Sequence, residues 1–394
     1  MTSAGDNIRT VRPEDRDDPH PILAVWEITL ACDQACRHCG SRAGTPRTAE
    51  LSRAEALELV QQLAAVKVRE VTLLGGEAYL RSDWVEIIRA ITAAGMRCTL
   101  VSGGRNLSAE RVRAAAAAGV WSISISVDGL APAHDQLRAV SGSWRAAMDA
   151  LETLRREGVR ATVNTQINRA NLDDLERLGD QLAQRGVGGW QLQLTTPMGR
   201  AADGERLVLQ PWQLDALMPR LERLAKVMSD RGCLLYVANN LGYFGPYEGD
   251  LRIGGHWHGC AGGRFSIGIQ SDGHLKACAS LPTEPYKAGS IRDRPLAAIL
   301  SDDPRLLGVA DRGVEDLQGF CRTCYYAELC RGGCVWTAHT FLGRPGDNPF
   351  CHHRVLELKA QGLRERLVCR APAPGQAFDH GRWELVVERW RDEA

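Results

Sequence analysis

A regular alternation of strand-like and helix-like segments between residues 22 and 230 constrains the fold most strongly. Short β-branched runs predict strands, in order, at 22–30, 69–74, 97–102, 121–127, 159–167 and 188–194. Segments rich in Ala, Leu and Arg predict helices at 52–66, 82–94, 108–118, 143–157, 171–185 and 210–230. Six βα units in succession predict a parallel sheet with right-handed crossovers. The alternation alone fits either an incomplete barrel or a doubly wound open sheet.

Three cysteines follow the first predicted strand, in the segment WEITLACDQACRHCGSRAG at 26–44. Cys32, Cys36 and Cys39 are spaced C-x3-C-x2-C, which brings three thiolates onto one short loop and suits a metal ion or an iron–sulfur cluster. Because four cysteines complete a [4Fe–4S] cluster, three leave one iron open for a bidentate small molecule. A structural zinc loop is the alternative, although such loops usually close all four positions. In a barrel this loop lies at the carboxyl edge of the strands, where function sits.

The cysteine spacing resembles C-x3-C-x-Φ-C, the signature of the radical S-adenosylmethionine (radical SAM) superfamily, with His38 at the Φ position. The resemblance implies an α/β fold built on an incomplete (β/α)6 barrel. It also implies that S-adenosylmethionine chelates the open iron and is cleaved, after one-electron reduction, to methionine and a 5′-deoxyadenosyl radical. His38 is then expected near the adenine. The cofactors carry this chemistry, and the protein supplies orientation and exclusion of water.

The end of the second predicted strand resembles a cofactor-binding segment of the same superfamily. Gly75, Gly76 and Glu77 match its G-G-E, which implies contact with the methionyl amino group of S-adenosylmethionine. Glycines there allow a ligand to approach the backbone closely. The alternative is a turn that merely ends the strand.

Three further strand ends carry weaker matches. Ser124 and Ser126 share one face of the fourth strand. The resemblance implies that one of them contacts the ribose of S-adenosylmethionine, and we take Ser126 as that residue. The alternative is that both hydroxyls hydrogen-bond to nearby backbone groups. Arg138 ends an H-D-x-x-R segment and either clamps a carboxylate of cofactor or substrate bidentately or forms a surface ion pair. Arg200, after the sixth strand, is a further candidate for the active site.

After about residue 235, Gly, Cys and His become dense and a hairpin is predicted across 265–277. The cysteines of this region resemble the seven-cysteine SPASM extension of radical SAM enzymes, which binds two auxiliary [4Fe–4S] clusters. The resemblance implies a first auxiliary cluster on Cys260, Cys278 and Cys334, and a second on Cys321, Cys324, Cys330 and Cys351. His256, His258, a substrate group or water are the candidates for the remaining position of the first cluster. Zinc bound between residues 321 and 334 is the alternative.

Composition excludes several classes of function. Lys plus Arg equals Asp plus Glu at 48 each, so net charge gives no argument for nucleic acid or an anionic membrane. No apolar run approaches the ~18 residues of a membrane span, and the polar N-terminus has no signal peptide. We therefore expect a cytoplasmic protein whose 13 cysteines serve metal or redox chemistry rather than disulfides.

The chain is expected to divide into four parts. A loose N-terminal arm at 1–21 precedes the barrel at 22–235. The SPASM region at 236–370 ends in a helix predicted at 352–368, and a C-terminal tail at 371–394 has no assigned role.

The resemblance implies a radical SAM oxidoreductase that oxidatively matures a ribosomally made peptide, by cross-linking or dehydrogenation, while an auxiliary cluster takes up an electron. A flavodoxin- or ferredoxin-type donor is the expected reductant. The alternatives are a small-molecule substrate of the tetrapyrrole or aminoglycoside type, a sulfatase-type protein substrate, a non-enzymatic electron carrier, or a zinc-stabilised scaffold. Only about 20 residues precede the first strand, too few for a leader-recognition domain. A separate protein is therefore expected to present a peptide, unless the substrate needs no leader.

Overall fold

The computed structural model describes residues 8–391 and centres on one nine-stranded sheet. The strands in chain order are β1 Leu23–Glu27, β2 Glu70–Leu74, β3 Arg97–Ser102, β4 Ser122–Ser126, β5 Arg160–Ile167, β6 Gly189–Leu194, β7 Leu234–Val237, β8 Ser266–Ile269, β9 Leu275–Lys276, β10 Leu363–Ala371 and β11 Arg382–Arg389. The sheet order is β7-β6-β5-β4-β3-β2-β1-β8-β9, and β1 to β7 are all parallel. The βα units advance in one direction from β1 to β7, whereas a doubly wound sheet reverses direction midway. The predicted incomplete (β/α)6 barrel is therefore confirmed.

Helices connect the strands and cover the outside of the barrel. In chain order they are α1 Pro13–Asp17, α2 Arg53–Ala65, α3 Trp84–Ala93, α4 Ala109–Ala117, α5 Ala131–Arg138, α6 Ser143–Arg156, α7 Leu175–Gln184, α8 Leu214–Asp230, α9 Glu248–Leu251, α10 Leu296–Asp302, α11 Pro304–Ala310, α12 Gly319–Arg322, α13 Ala327–Cys330, α14 Val335–Leu342 and α15 His352–Ala360. The six barrel helices and six barrel strands predicted from sequence are all present. No helix within the described residues is both long and apolar enough to cross a membrane.

Local sequence explains where barrel helices begin and which faces they bury. Ser52 starts α2 with a capping box, in which the Glu55 amide donates to Ser52 Oγ and the Ser52 amide donates to the Glu55 carboxylate. Leu59 and Leu63, one turn apart on α2, are fully buried against the sheet. Trp26 of β1 is fully buried as well. This apolar layer supports the carboxyl edge of the strands, where the cysteine loop begins.

The C-terminal region continues the barrel sheet. The hairpin predicted across 265–277 is confirmed as β8 and β9, with Gly273 at φ +87° in its turn. Strand β8 pairs in parallel with β1, the first strand of the barrel. The boundary expected near residue 235 falls inside β7. Barrel and C-terminal region therefore share one continuous sheet.

The N-terminal arm is not loose where it is described. Residues 1–7 lie outside the described part of the chain. From residue 8 onward the arm packs against β2, because Arg9 forms an ion pair with Glu70 and the buried Asp15 forms one with Arg69. The expectation of a loose arm was wrong for these residues, since charged side chains in a polar stretch found buried partners far along the chain.

The helix predicted at 352–368 was wrong beyond residue 360. Helix α15 ends there, Gly362 takes φ +71°, and the chain continues as β10. Strand β10 pairs antiparallel with β11, which forms the C-terminal tail. Trp383 of β11 is buried and packs edge-on against Phe341, with ring centroids 6.1 Å apart. The tail is thus an integral part of the fold.

An ion pair between Arg292 and Glu55 joins the C-terminal region to α2 and predicts a small acid sensitivity. Arg292 Nε lies 2.6 Å from Glu55 Oε1. This contact, together with the hydrogen bond that Glu55 accepts from the Ser52 amide, lowers the pKa of Glu55 from 4.5 to about 2. A carboxyl group whose pKa is lower in the folded than in the unfolded protein stabilises the fold at pH values above the unfolded pKa. This contribution disappears as the pH falls from 4.5 toward 2. Because the pair is partly exposed, Glu55→Gln should cost about 0.2–1 kcal/mol at pH 7.

Urea unfolding of the metal-free protein at a series of pH values measures this cost. The difference between wild type and Glu55→Gln should shrink below pH 4.5. Glu58→Gln, on an exposed position of the same helix, is the matched control and should change little. A difference that stays constant down to the acid limit would contradict the assignment.

Candidate active site

The three cysteines of the N-terminal motif lie together on a closed loop after β1. The Cys32 amide donates to the Gly44 carbonyl at 3.0 Å, and the Gly44 amide donates to the Leu30 carbonyl at 2.9 Å, so the loop begins and ends at the same point. Cys36 is buried and the other two thiols are half-buried. Burial, with smaller contributions from Glu77 and the two neighbouring cysteines, raises the pKa of Cys32 to about 12. Three adjacent thiolates on one loop repel one another and need a positive partner, which a metal cluster provides.

Gly75 and Gly76 sit where the strand-two loop crosses the start of the cysteine loop. The Gly76 amide donates to the Thr29 carbonyl at 2.8 Å, and the Glu77 amide donates to the Ala31 carbonyl at 2.7 Å. A Cβ on Gly76 would lie 2.0 Å from the Ala31 oxygen, and one on Gly75 would lie 2.4 Å from the Thr29 oxygen. The backbone of the chain itself therefore requires glycine at both positions.

Glu77 is buried between the ends of β2 and β3. It accepts a hydrogen bond from Ser102 Oγ at 2.7 Å and another from the Gly103 amide at 2.6 Å. Burial raises the pKa of Glu77 to about 7, although these two hydrogen bonds lower it. These hydrogen bonds hold the Glu77 carboxylate in place at the rim of the barrel. The Glu77 amide contacts Ala31, which directly precedes Cys32.

Asp128, to which the sequence analysis gave no role, organises the opposite side of the cysteine loop. It is fully buried after β4, forms an ion pair with Arg138 and contacts His38, whose Nε2 lies 3.0 Å from Asp128 Oδ2. The Gln166 amide donates to its other oxygen at 2.8 Å. Burial would raise the pKa of Asp128, but Arg138 and His38 hold it far below the usual range. The position of Asp128 at the end of the fourth strand, a few residues before the H-D-x-x-R segment, was the available signal.

Arg138 is buried, so the alternative of a surface ion pair was wrong. Besides Asp128, its guanidinium contacts the cysteine loop, with Nη1 3.6 Å from Cys36 Sγ. Arg200 also holds this loop, because its Nε donates to the Cys36 carbonyl at 2.7 Å and its Nη2 donates to the Ala43 carbonyl at 3.0 Å. Two arginines from distant strand ends therefore position the segment around Cys36.

Ser124 and Ser126 are both half-buried on the same face of β4. Within the described residues, the buried Ser124 Oγ has no hydrogen-bond partner. Nδ1 of His38 is likewise buried and unpartnered. Buried polar atoms are almost always satisfied in folded proteins. These two atoms therefore fit a polar ligand that lies across the carboxyl edge of the barrel.

The seven C-terminal cysteines separate into a group of three and a group of four. Cys260, Cys278 and Cys334 lie close together, because Cys278 helps to raise the pKa of the buried Cys260 thiol and both of them help to raise that of Cys334. Cys321, Cys324, Cys330 and Cys351 line one small apolar pocket. This matches the predicted grouping. The two candidate histidines, His256 and His258, are exposed and pack on each other, with ring centroids 4.2 Å apart.

The cysteine groups are not arranged around single ions. Within residues 8–391, no set of three or more Cys, His, Asp or Glu side chains converges on one metal position. In a [4Fe–4S] cluster each thiolate binds a different iron. Cysteine thiols in such groups are the donors that iron–sulfur clusters take.

A cavity of about 170 Å³ lies between the barrel rim and the C-terminal region. Its lining comes from strand ends, from the β8–β9 hairpin and from the tail: Glu27, His38, Gly40, Ser41, Leu74, Gln166, Gln193, Thr196, Met198, Ile269, Gln270, Lys276, Ala279, Ser280, Trp336 and Phe378. Sequence reasoning missed most of these residues. A charged Glu27 inside an apolar strand was a usable signal, whereas nothing near Phe378 indicated a place in the site.

Glu27 and Lys276 are the buried charges of this cavity. Glu27 accepts a hydrogen bond from Arg47 Nη2 at 3.0 Å, and burial raises its pKa. Lys276 Nζ donates to the carbonyls of Ala279 at 3.1 Å and Leu281 at 2.6 Å. Burial lowers the pKa of Lys276 to about 8, although Glu27 raises it.

The barrel, the thiol loop at its carboxyl edge and the additional cysteine groups define a class of cofactor-dependent enzymes, and comparisons with known proteins agree. The family model for the radical SAM superfamily matches residues 26–182. Mycofactocin maturase MftC of Mycolicibacterium smegmatis is 30% identical over 369 residues, covering 89% of this chain and 86% of the relative. AdoMet-dependent heme synthase of Methanosarcina barkeri is 27% identical over 346 residues, covering 85% and 97%.

Solved structures share the fold. Streptococcus suis SuiB bound to precursor peptide SuiA aligns with a TM-score of 0.65 at 16% identity, covering 84% of this chain and 75% of that chain. The chain belongs to the radical SAM superfamily and to its SPASM subfamily. It is therefore an enzyme that binds S-adenosylmethionine and a [4Fe–4S] cluster.

Proposed function

We propose that this enzyme oxidatively matures a ribosomally made peptide. The observation that carries the proposal is the presence of three separate cysteine groups in one chain, the first of them at the barrel rim beside a cavity. The similarity to mycofactocin maturase and the fold shared with a peptide-bound SuiB support a peptide substrate. A leader-binding protein is a further proposed partner. A flavodoxin- or ferredoxin-type protein is the proposed electron donor.

The cysteine loop is the proposed site of the radical-generating cluster, held by Cys32, Cys36 and Cys39. When bound there, the cluster and S-adenosylmethionine supply a 5′-deoxyadenosyl radical that abstracts a hydrogen atom from the substrate. Arg138 donates to the Cys36 thiolate and, fixed by Asp128, positions that ligand. In place of a clamp on a cofactor carboxylate, we therefore assign Arg138 the role of a positioning residue.

The proposed S-adenosylmethionine site extends along the rim from β2 to β4. Glu77, on the G-G-E turn of Gly75 and Gly76, is the proposed contact for the amino group, because its carboxylate is buried and fixed there. His38 offers Nδ1 toward the adenine side. Ser126 was the expected ribose contact, but the unpartnered Ser124 Oγ makes Ser124 the better candidate on the same strand face.

The C-terminal cysteine groups are the proposed sites of two auxiliary [4Fe–4S] clusters. The group of four closes every position with thiolate, which suits electron transfer. The group of three leaves one position without cysteine. Clusters held by these thiolates would supply an acceptor for the electron that a substrate radical loses, together with a proton, when it forms a new bond. The residues are Cys260, Cys278 and Cys334 for the first cluster and Cys321, Cys324, Cys330 and Cys351 for the second.

A tetrapyrrole is the second candidate substrate. The observation that favours it is the similarity to AdoMet-dependent heme synthase, which extends over 97% of that relative. The two candidates require the same radical machinery and differ only in what enters the cavity. Substrate tests therefore separate them.

Anaerobic reconstitution tests the proposed function. We expect about twelve irons per chain, cleavage of S-adenosylmethionine to 5′-deoxyadenosine under reducing conditions, and a mass change in a short precursor peptide encoded beside the gene. Replacing Cys321 and Cys324 by Ala should reduce the iron to about eight. Zinc in place of iron, or iron without cofactor cleavage, would overturn the proposal. Turnover of a tetrapyrrole but of no peptide would promote the second candidate.

A further inference from the structure

We propose that the loop between β10 and β11 shields the first cysteine group and the adjoining cavity from small solutes, with Phe378 as the seal and Asp379 as its anchor. This rim loop comprises residues 372–381. The proposal goes beyond the proposed function, because such a shield serves the radical chemistry whichever substrate enters the cavity.

The rim loop is longer than a hairpin requires. Strand β10 ends at Ala371 and β11 begins at Arg382, whereas most hairpin loops have only about two to five residues. Pro372 and Pro374 have a fixed φ, which lowers the entropy lost when the loop is ordered. A long connection that is well fixed is often functional. The contacts of the loop indicate what that function is.

The rim loop bridges the end of the cysteine loop and the segment after β6. The Phe378 amide donates to the carbonyl of Gly40, the residue after Cys39, at 3.2 Å. The Gly199 amide donates to the Asp379 carbonyl at 2.7 Å. The tail therefore lies directly against the backbone that carries one of the three thiols.

Asp379 fixes the rim loop through both oxygens of its carboxylate. Oδ1 accepts a hydrogen bond from Arg42 Nε at 3.1 Å, and Oδ2 accepts from the amides of Gly375 at 2.5 Å and Gln376 at 2.6 Å. The carboxylate is largely buried, so solvent screens its ion pair with Arg42 only weakly. Asp379 thus shapes the turn of the rim loop and ties it to the cysteine loop.

Phe378 forms the cavity wall beside this anchor. It is 7% exposed and lines the cavity together with Ser41 and Met198. Its ring centroid lies 3.8 Å from Lys276 Nζ, so the ring extends from the cysteine loop to the β8–β9 hairpin. Its backbone has φ +58°, a left-handed conformation that bulky residues rarely adopt. Such strain persists where surrounding contacts impose it, and those of Asp379 do so here.

A shield at this position protects the radical chemistry in two ways. A thiol that reached a carbon radical would transfer its hydrogen atom, forming a C–H bond and a thiyl radical and ending the reaction. Dioxygen that reached a [4Fe–4S] cluster would oxidise it. A closely packed ring hinders the entry of either solute from the side of the rim loop.

Thiol alkylation of the metal-free protein tests the shield without turnover. After iodoacetamide is added to the native chain, mass spectrometry gives the alkylation rate of Cys39 relative to Cys324, a half-buried thiol of the group of four. Because thiol reactivity follows exposure, Phe378→Ala and Asp379→Ala should each raise this ratio about fivefold or more. Phe378→Leu should raise it less. Gln376→Ala, at an exposed position of the same loop, is the matched control and should leave it unchanged.

Air exposure of the reconstituted holoenzyme gives a second readout. In air-saturated buffer, the capacity to form 5′-deoxyadenosine from S-adenosylmethionine should decay about threefold or more faster in Phe378→Ala than in wild type. Gln376→Ala should decay at the wild-type rate. A general loosening of the fold would instead accelerate the alkylation of Cys39 and Cys324 alike and leave their ratio unchanged.

An unchanged ratio in both Phe378→Ala and Asp379→Ala overturns the proposal, as does equal decay in air. If neither variant folds, hydrogen exchange of the wild type decides. The Phe378 amide should be protected about 100-fold relative to an unstructured peptide, and an unprotected amide overturns the shield. Because alkylation needs no turnover, a failure of the proposed function would appear in iron content and substrate tests instead.

Discussion

Replacing Cys32, Cys36 and Cys39 together by alanine should abolish formation of 5′-deoxyadenosine and remove about four irons per chain. The three thiols share one loop, so no other cysteine group is disturbed directly. The loop itself should persist, because its backbone is closed by Gly44 and held by Arg200. Iron quantification and chromatography of the reduced, S-adenosylmethionine-treated protein measure both effects.

Cys369→Ala is the matched control for the triple variant. Cys369 is a half-buried free thiol on β10, outside all three cysteine groups. Its loss should leave both the iron content and 5′-deoxyadenosine formation at the wild-type level. If the triple variant still cleaved S-adenosylmethionine, the cysteine loop would not be the site of the radical-generating cluster. If Cys369→Ala also lost iron, the iron content would not report specifically on the three cysteine groups.

Replacing Asp128 by asparagine should destabilise the metal-free protein by about 3–5 kcal/mol, because it leaves the buried Arg138 guanidinium without a counter-charge. The same substitution also removes the partner of His38 Nε2. Since Arg138 contacts Cys36 Sγ, the cysteine loop should loosen and reconstitution with iron should become less complete. Chemical denaturation and iron content are the two measurements.

A double-mutant cycle separates the ion pair from other effects of Asp128. Removing both partners with Asp128→Asn and Arg138→Met leaves no unpaired buried charge, so the double variant should be more stable than the sum of the single losses predicts. Asp149→Asn, at an exposed position of α6, is the control and should stay within about 0.5 kcal/mol of wild type. Additive losses in the cycle would show that Asp128 and Arg138 do not act as a pair.

Local signals were sufficient for the individual strands and helices of the barrel, whereas its closure was implied only by the family resemblance. The hydrophobic periodicity of each predicted barrel strand and helix depends only on neighbours a few residues away. N-cap residues such as Ser52 and Ser108 mark where the helices begin. Local signals failed at residues 361–368, which were predicted as helix and form β10. That stretch becomes a strand because β11 pairs with it, and pairing between distant segments is not visible in a local window.

From the sequence, the cysteine spacing indicated the family by resemblance, and that resemblance implied the three thiol groups. The order of strand and loop predicted that the first group lies at the carboxyl edge, because ligand spacing and strand polarity are properties of the chain. Only the tertiary structure decided which side chains surround and position those groups. Asp128 meets His38 and Arg138 in a buried network, and Lys276 meets the tail residue Phe378 in the cavity. These residues come from separate strand ends, a hairpin and the C-terminus. Burial converts ordinary polar side chains into strong, directional partners only after the chain has folded around them.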